Sequence, residues 1–278
     1  MSAPPARVGV CSWSLRPSSA DDLCEKLAAC GLTGVQLALE PIRSHAWSLE
    51  ATRRALQNAG VPILSGMFEP MGEDYSTLET IARTGGVRDD ARWSENLERA
   101  RACAEIAREL GLSLVTFHAG FLPHDPFDPV RATMMERLRA IADVFAQRGV
   151  HVAFETGQEN ASTLLEALAE LDRPSVGVNF DPANMILYAM GDPVDALSRL
   201  ADRVVQVHIK DAVATHSPGA WGQEVPAGTG DVRWREFFCA MDDADLRVDL
   251  IIEREAGDDR VNDVRRAVDL LRSLGRIA

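Results

Sequence analysis

The sequence predicts an α/β fold of the (β/α)8 type, a TIM barrel, in one domain spanning residues 1–278. Eight short apolar runs alternate with eight helical patterns along the chain. The length of 278 residues is close to the roughly 250 that such a barrel needs, and it leaves no room for a second sizeable domain. Acidic or imidazole side chains also end four of the runs, as expected where barrel strands meet at one face.

The first four predicted strands are short runs rich in β-branched and other apolar residues. They are RVGVCSW (7–13), GVQLALE (34–40), VPILSGMF (61–68) and LSLVTFHAG (112–120). Helical patterns, with apolar residues at three- and four-residue spacing, separate these runs and the later ones. They cover 20–31, 48–59, 92–110, 129–148, 161–171, 192–201, 233–241 and 260–273. Two long connections, 69–91 and 211–231, interrupt the alternation.

The last four predicted strands each lead to a residue that can bind a metal ion. The runs are HVAFE, VGVNFD, VVQVHIK and VDLIIERE, and the residues are Glu155, Asp181, His208 and Glu253. Because the carboxyl ends of parallel barrel strands meet at one face, these four side chains are expected to converge. The two-residue period of a strand is consistent with this convergence, because it places His208 on the same face of its strand as Gln206 and Lys210.

Three carboxylates and one imidazole form an oxygen-rich set of ligands that suits a hard divalent cation. Mn²⁺ is the favoured ion; Mg²⁺ and Co²⁺ fit the same ligands, and Zn²⁺ is less favoured. Such an ion can chelate the carbonyl and neighbouring hydroxyl of a sugar and stabilise an enediolate as a proton leaves. Two of the carboxylates can then transfer the proton.

Each of these residues also has an ordinary structural interpretation. Asp181 begins the turn sequence DPAN, Glu253 can pair with Arg254, and a single histidine such as His208 is often a satisfied core residue. Four such residues on four consecutive strands are harder to explain in this way. The set as a whole therefore favours a metal site.

Composition limits the partners. The net charge of −13 argues against a nucleic-acid partner, because such binding depends on clustered Lys and Arg. No apolar run approaches the 18 or so residues needed to span a membrane. The start, MSAPPARVGV, does not look like a secretory signal, so a cytoplasmic location is expected.

The segments FETG, NFDPANMILY, VHIKDA, WGQEVPAGTGDVRW and IIEREAGDD resemble, in order, the motifs of the xylose isomerase-like TIM barrels. The resemblance covers nearly the whole chain. Within this family, the sequence resembles sugar isomerases and epimerases of the D-tagatose 3-epimerase type. It implies Glu155, Asp181, His208 and Glu253 as ligands of Mn²⁺ or Co²⁺. It also implies that Glu155 and Glu253 form the catalytic acid/base pair, on opposite faces of the sugar.

Two positions depart from the pattern of those epimerases. Asn184 stands where they have a substrate-contacting histidine, and Ala214 stands where they have an arginine. Lys210 can contact a carboxylate or phosphate of the ligand, or pair with Asp211 at the rim. His118 is similar to a residue that lines the family's pocket, although it can also be a buried histidine satisfied by backbone.

Other candidate substrate-binding residues come from chain segments expected above the barrel. Trp221 and Gln223 lie in the long segment after His208, and Trp13 follows the first strand. An aromatic ring can cover a sugar face and an amide can bind its hydroxyls. An ordinary turning loop, and packing alone for Trp13, are the alternatives.

These observations predict a divalent-metal-dependent sugar or sugar-phosphate isomerase or epimerase with a small carbohydrate substrate. The alternatives are a metal-dependent lyase or dehydratase acting on a keto-sugar or 3-keto-glycoside, and a sugar-binding barrel without catalysis. Endonuclease IV shares the fold, but it needs further histidine ligands that this chain lacks. The sequence leaves open whether the protein forms a homo-oligomer.

Overall fold

The computed structural model describes residues 6–217 and 219–277, and the predicted barrel is confirmed. Residues 1–5, 218 and 278 of the predicted domain lie outside the described part. Eight parallel strands close in the order β1-β10-β7-β6-β5-β4-β3-β2. These strands are β1 (Val8–Cys11), β2 (Gly34–Ala38), β3 (Ile63–Met67), β4 (Leu114–Phe117), β5 (His151–Glu155), β6 (Val176–Phe180), β7 (Val204–Ile209) and β10 (Asp249–Ile252).

Helices surround the barrel at the predicted places. The eight main ones are α1 (Ala20–Cys30), α3 (Leu49–Asn58), α5 (Trp93–Leu110), α6 (Pro129–Ala146), α7 (Ala161–Leu171), α9 (Pro193–Leu200), α10 (Trp234–Asp243) and α11 (Arg260–Ser273). Their ends follow from local chemistry. Ser19 and Asn160 accept hydrogen bonds from backbone N–H groups in the first turns of α1 and α7. Gly31 and Gly111 adopt the left-handed conformation after α1 and α5.

The two long connections contain more structure than the sequence predicts. The first, 69–91, includes the short helix α4 (Leu78–Thr84). The second, 211–231, begins with an antiparallel pair, β8 (Asp211–Val213) and β9 (Gln223–Val225), which stands outside the barrel. Two further short helices, α2 (Glu40–Arg43) and α8 (Pro182–Leu187), directly follow β2 and β6. All four additions come after the carboxyl ends of barrel strands, where binding sites of this fold lie.

The apolar core lies between the sheet and the helices. Phe117 packs on Phe68 and Phe154, with ring centroids 5.6 and 5.3 Å apart, and Phe145 of α6 extends this cluster. In contrast, the inside of the barrel carries buried polar side chains. These are Gln36, Ser65, Thr116, Asn179 and Gln206. No helix within the described ranges is both long and apolar enough to cross a membrane.

Candidate active site

The four ligands predicted from the sequence come together at the carboxyl ends of their strands. One ligand atom from each of Glu155, Asp181, His208 and Glu253 lies within 4.8 Å of the others. All four residues are at least 95% buried, with exposed fractions of 2%, 0%, 0% and 5%. Parallel pairing produces this convergence, because β5, β6 and β7 are neighbours and β10 pairs with β7. We refer to these four residues as the ligand cluster.

Asp181 combines a structural role with a place in this cluster. Its Oδ1 accepts a hydrogen bond of 2.9 Å from the backbone N–H of Asn184 and so caps α8, as the turn sequence DPAN allows. Its Oδ2 is fully buried and has no hydrogen-bond partner in the described part of the chain. The Lys210 ammonium is 3.8 Å from this oxygen, too far for a hydrogen bond, and a buried carboxylate oxygen without a hydrogen bond is costly, so the atom indicates a missing close partner.

His208 is held through one ring nitrogen and free at the other. Its Nε2 lies 2.8 Å from Gln36 Oε1, across the barrel. An amide oxygen only accepts, so this contact selects the tautomer with the proton on Nε2, although Asn179 Nδ2 also approaches Nε2, at 3.0 Å. Nδ1 faces the carboxylates: burial alone would lower the pKa of His208, but these carboxylates outweigh it and raise the pKa well above its usual value, so a metal ion would take the place of the Nδ1 proton. Nδ1 has no hydrogen-bond partner among the described residues, and Glu253 Oε2 lies 3.3 Å away.

A connected layer of neutral polar groups supports this arrangement from inside the barrel. Gln36 Nε2 donates to Thr116 Oγ1 at 2.8 Å, and Gln206 Nε2 donates to Asn179 Oδ1 at 3.1 Å. Ser65 in turn donates to Gln206 Oε1 at 2.6 Å. Satisfied buried networks of this kind restrict side-chain orientation, and equivalent partners behind metal ligands tune metal affinity.

Lys210 is buried beside the cluster and uses all three of its N–H donors. Its Nζ donates to Glu253 Oε2 at 2.9 Å, to Glu255 Oε2 at 2.6 Å and to Asn184 Oδ1 at 3.3 Å. Pairing with Asp211 at the rim, one of the alternatives raised by the sequence, is wrong. Asp211 instead accepts hydrogen bonds from the backbone of the glycine-rich turn, at Gly228 and Gly230.

The other ordinary interpretations can be judged in the same way. Glu253 does not pair with Arg254, whose guanidinium instead contacts Glu224 at 2.6 Å and Asp263 at 2.9 Å. His118 is not satisfied by backbone, because its buried Nδ1 has no hydrogen-bond partner within the described residues. Its Nε2 lies 3.8 Å from Glu155 Oε1. His118 therefore faces the cluster.

The charges of the cluster fit a divalent cation. Burial alone would raise the pKa of Glu253, but the Lys210 ammonium and His208 outweigh it and hold the pKa well below its usual range. The three carboxylates of the cluster, with Glu255 beside them, outnumber the Lys210 ammonium and the His208 imidazole, so negative charge is in excess around this site. The unpartnered Asp181 Oδ2 and His208 Nδ1 point to the same place. One divalent cation would compensate these charges and satisfy both atoms.

A hydrogen bond accepted at Oε1 helps to fix the orientation of each glutamate. Trp13 Nε1 donates to Glu253 Oε1 at 2.9 Å, and Asn184 Nδ2 donates to Glu155 Oε1 at 2.8 Å. The second contact requires α8 to lie close to the loop after β5. A glycine at position 157 allows this close contact, because its φ is +130° and an added Cβ would lie 2.4 Å from Asn184 Cβ.

A cavity of about 200 Å³ is bounded by residues that contact this cluster. Trp13 and His118 line it and approach Glu253 and Glu155, respectively. Its other lining residues are Ala38, Glu40, Met67, Glu69, Glu73, Tyr75 and Glu255. The volume is below the roughly 300–1,000 Å³ typical of drug-sized ligands, so the cavity suits a small molecule. We refer to it as the mouth cavity.

The remaining predicted substrate-binding residues lie outside the lining of the mouth cavity. Trp221 packs on Tyr188, with ring centroids 5.0 Å apart, and Tyr188 packs on Phe121 in turn. Gln223 is exposed at the start of β9. Asn184 and Lys210 are buried and hydrogen-bond to Glu155 and Glu253, respectively. Of the candidates in the long segment after His208, Trp221 thus joins an aromatic cluster, whereas Gln223 faces solvent.

Sequence reasoning did not single out Gln36, Glu73 or Tyr75. Gln36 looks like an ordinary polar residue in an apolar run, and only closure of the barrel brings it to His208. Glu73 and Tyr75 stand in the connection 69–91, which has no periodicity to show which side chains turn inward. The position of that connection, directly after a barrel strand, was the available signal.

Comparisons with known proteins agree with the fold. Residues 24–274 match the family described as xylose isomerase-like TIM barrel. A xylose isomerase domain protein from Planctomyces limnophilus has a crystal structure that superposes with a TM-score of 0.86, at 30% identity over 98% of both chains. The 3-keto-D-glucoside 4-epimerase of E. coli superposes with a TM-score of 0.73 over 96% of this chain and 99% of that one. At 17% identity, this second likeness shows the fold alone.

Curated relatives are more distant and include a different reaction class. The 3-dehydroshikimate dehydratase of Neurospora crassa is 24% identical over 213 residues, which are 70% of this chain and 59% of that protein. The matches to curated relatives span between 43% and 59% of the length of those proteins. The comparisons therefore identify the family of this chain but do not identify the reaction.

Proposed function

The chain belongs to the xylose isomerase-like TIM barrel family, and we propose that it is a divalent-metal-dependent sugar isomerase or epimerase. In this proposal the protein moves a proton at a carbon next to a carbonyl of a small carbohydrate. The observation that carries it is the ligand cluster, in which Asp181 Oδ2 and His208 Nδ1 lie beside two glutamates and have no hydrogen-bond partner among the described residues. One cytoplasmic domain, residues 1–278, would carry the activity.

The ligand cluster would hold the metal, with Mn²⁺ favoured over Mg²⁺, Co²⁺ and Zn²⁺ because three of its four ligands are carboxylates. A bound divalent cation would polarise the substrate carbonyl and the hydroxyl beside it. The protein itself supplies orientation and burial. Gln36 keeps His208 Nδ1 toward the cluster, and Asn184 and Trp13 fix the two glutamates.

Glu155 and Glu253 are the proposed acid/base pair. One carboxylate accepts the proton from the substrate carbon, and the electron pair of the broken C–H bond passes toward the carbonyl. The other glutamate enters the step protonated and gives its proton to the opposite face of the same carbon, which completes an epimerisation. In an aldose–ketose exchange, the first carboxyl instead returns the proton to the neighbouring carbon, and a hydroxyl proton moves to the former carbonyl oxygen. Lys210 keeps Glu253 ionised, because the ammonium lowers the pKa of this carboxyl against the effect of burial. His118 faces Glu155 from the cavity side.

A lyase or dehydratase would share the first step and then expel a leaving group from the neighbouring carbon. Because the Neurospora relative is a dehydratase by name, an experiment has to distinguish this alternative from the proposed isomerase or epimerase. A binding barrel without turnover is the other alternative, and the two oriented glutamates argue against it.

The test combines metal analysis with proton exchange. The purified protein is assayed for bound metal, stripped with a chelator and reloaded with Mn²⁺, Mg²⁺, Co²⁺ or Zn²⁺. Ketoses, aldoses and 3-keto-glucosides are then incubated with it in D₂O. We expect metal-dependent deuterium incorporation beside the carbonyl without loss of water or aglycone. Release of either product would favour the lyase, and the absence of metal affinity would overturn the proposal.

A further inference from the structure

Cys11 is a potential metal ligand of a different kind, at the end of the first barrel strand. It is the last residue of β1, its side chain is fully buried, and it is not part of the ligand cluster. One ligand atom from each of Cys11, His208 and Glu253 lies within 4.8 Å of the others. We refer to these three residues as the cysteine set. It shares two residues with the ligand cluster and has a sulfur atom in place of Glu155 and Asp181.

The spacing of these atoms suits a tetrahedral ion of the size of zinc. Cys11 Sγ lies 3.8 Å from His208 Nε2, and Glu253 Oε2 lies 3.3 Å from His208 Nδ1. Zn–S bonds of about 2.3 Å and Zn–N bonds of about 2.0–2.1 Å place sulfur and nitrogen roughly 3.5 Å apart at the tetrahedral angle. The sulfur and the carboxylate approach different nitrogens of the ring, so a small rotation of the ring or of Glu253 brings both to one ion. Three protein ligands then leave the fourth position open.

A single amide oxygen holds the thiol and the imidazole next to each other. Gln36 Oε1 lies 3.3 Å from Cys11 Sγ and 2.8 Å from His208 Nε2, and it accepts from both. An ion bound between sulfur and nitrogen would replace both protons and so take over both contacts. His208 Nδ1, which is buried without a hydrogen-bond partner among the described residues, is a second and independent indication that this imidazole is a ligand.

The thiol distinguishes hard ions from thiophilic ones. Burial raises the pKa of Cys11, so the thiol stays protonated at neutral pH in the metal-free protein. Hard ions such as Mn²⁺ and Mg²⁺ prefer oxygen ligands and gain little from sulfur. A thiophilic ion binds the thiolate, and coordination releases the thiol proton to solvent. The ligand cluster therefore suits hard ions, whereas the cysteine set suits thiophilic ones.

We propose that the cysteine set is an alternative metal site that captures thiophilic divalent ions such as Zn²⁺ and Cd²⁺. Because the two sets share one imidazole and one carboxylate, only one of them is occupied at a time. An ion in the cysteine set engages Glu253 and leaves Glu155 and Asp181 without a metal partner, so it does not support proton transfer between the two glutamates. This inhibitory consequence rests on the proposed function, whereas the binding of the ion does not.

The experiment uses Cd²⁺ as the probe, because a Cd–S bond gives an ultraviolet difference band that Cd–O and Cd–N bonds lack. Cys24→Ser/Cys239→Ser serves as the reference protein, since these are the two cysteines that are not buried. The metal-free reference protein is titrated with Cd²⁺ by absorption and with Mn²⁺ by electron paramagnetic resonance. We expect a single Cd–S band that saturates at one ion per chain and is removed by Zn²⁺ at far lower concentrations than by Mn²⁺.

Two variants should change the ratio of Cd²⁺ to Mn²⁺ affinity in opposite directions. Cys11→Ser removes the sulfur, and we expect loss of the band and a fall in this ratio of about tenfold or more, at least the effect of losing a partner behind a metal ligand. Asp181→Asn removes a carboxylate from the ligand cluster alone and keeps a residue type that caps α8, so the band should stay and the ratio should rise. Cys103→Ser, a buried thiol of α5 outside both sets, is the matched control and should change neither.

Absence of a Cd–S band in the reference protein, or a band that persists in Cys11→Ser, would overturn the inference. Loss of the band in Asp181→Asn would also overturn it, because the sulfur would then belong to one enlarged site. If Cys11→Ser does not fold, the ¹¹³Cd chemical shift of the reference protein reports sulfur ligation without that substitution, and a shift typical of oxygen and nitrogen ligands alone would overturn the inference. Failure of the proposed function looks different, since deuterium exchange is then absent with every ion while the Cd–S band is still expected.

Discussion

The two halves of the barrel contribute different kinds of residues to the site. Strands β5, β6, β7 and β10 carry the ligand cluster together with Lys210, so charge is concentrated there. Strands β1 to β4 carry neutral polar groups at the same level, including Gln36, Ser65 and Thr116. The connections after β1 to β4 provide most of the lining of the mouth cavity, among them Trp13, Tyr75 and His118.

This difference suggests a division of roles, in which one half carries the proposed reacting groups and the other half holds them in place. In the proposed function the charged half binds a cation and moves a proton, and its geometry is set by short buried contacts. The neutral half orients His208 from across the barrel and shapes the space that a substrate would occupy. Substitutions in the charged half should therefore affect turnover and charge balance. Those in the neutral half should act through metal affinity or specificity.

The largest effect is expected for Glu253→Gln in the charged half. The substitution keeps the shape and the acceptor for Trp13 but removes a ligand and one member of the proposed acid/base pair. We expect turnover to fall about a thousandfold or more, within the range that acid–base groups contribute, with the fold retained by circular dichroism. Glu255→Gln is the matched control, since it also loses a Lys210 contact but lies outside the cluster and should keep metal affinity. Near-normal activity of Glu253→Gln would contradict the assignment.

Lys210→Met tests whether this residue balances charge or binds substrate. Without the ammonium, the buried Glu253 is left uncompensated, and we expect a loss of roughly 3–5 kcal/mol in unfolding free energy in the presence of a chelator. Mn²⁺ should restore part of this stability and bind more tightly than in the parent protein. Chemical denaturation with and without metal measures both effects.

A surface lysine provides the comparison for Lys210. Lys26→Met removes a pair with Asp22 at 2.9 Å on the exposed side of α1, and it should change stability by less than about 1 kcal/mol. If Lys210→Met leaves stability intact and only raises KM for anionic substrates, Lys210 belongs to substrate binding.

The sequence predicts the charged half better than the neutral half. Helix α7 has the predicted bounds of 161–171, and the four candidate ligands could be located because each ends or follows a recognisable strand. Carboxylates and imidazoles stand out at strand ends, since burying them needs a reason. Gln36 does not stand out in this way, because its function depends on a partner 172 residues away, across the closed barrel.

Connections after the strands were the least predictable part. The run 69–91 shows no strand or helix period around Glu73 and Tyr75, so nothing in the sequence orders their side chains. Their positions depend on tertiary contacts such as the hydrogen bond from Gly86 to Glu73. The sequence also does not show which carboxylates pair with Lys210. Lys210 precedes Asp211, but it pairs with Glu253 and Glu255 from a neighbouring strand.

Gln36→Leu tests the support that the neutral half gives to the metal site. The substitution removes the acceptor for His208 Nε2–H, so the ring loses the contact that selects its tautomer. We expect Mn²⁺ affinity to fall about 10- to 100-fold, as for other partners of metal-binding histidines. Isothermal titration measures the affinity, and ¹⁵N chemical shifts of the imidazole report the tautomer. Ser65→Ala, which removes a more distant link of the polar layer, should have a smaller effect. Equal metal affinity in Gln36→Leu and the parent protein would contradict the idea that the neutral half supports the metal site.

The smallest effect is expected at Glu159, four residues after Glu155 in the same connection. Glu155 lies among cationic and donor groups, whereas both carboxylate oxygens of Glu159 are buried without a partner among the described residues. Burial raises the pKa of Glu159 to about 8, an effect that His118 opposes only in part. The carboxyl is thus neutral in the folded protein at pH values where it is ionised in the unfolded chain. Its contribution is complete below the ordinary pKa of 4.5 and is lost as the pH rises through about 8.

Glu159→Gln should therefore gain stability relative to the parent protein as the pH increases from 5 to 8.5. We expect a differential gain of about 1–2 kcal/mol, less than the full shift in pKa would imply, because relaxation and water penetration reduce the penalty for a buried charge. Urea unfolding at the two pH values measures it, with Glu166→Gln on the exposed face of α7 as a control that should show no such trend. Parallel stability curves for Glu159→Gln and the parent protein would mean that Glu159 is ionised in the fold. The charged half would then extend beyond the ligand cluster into the connection after β5.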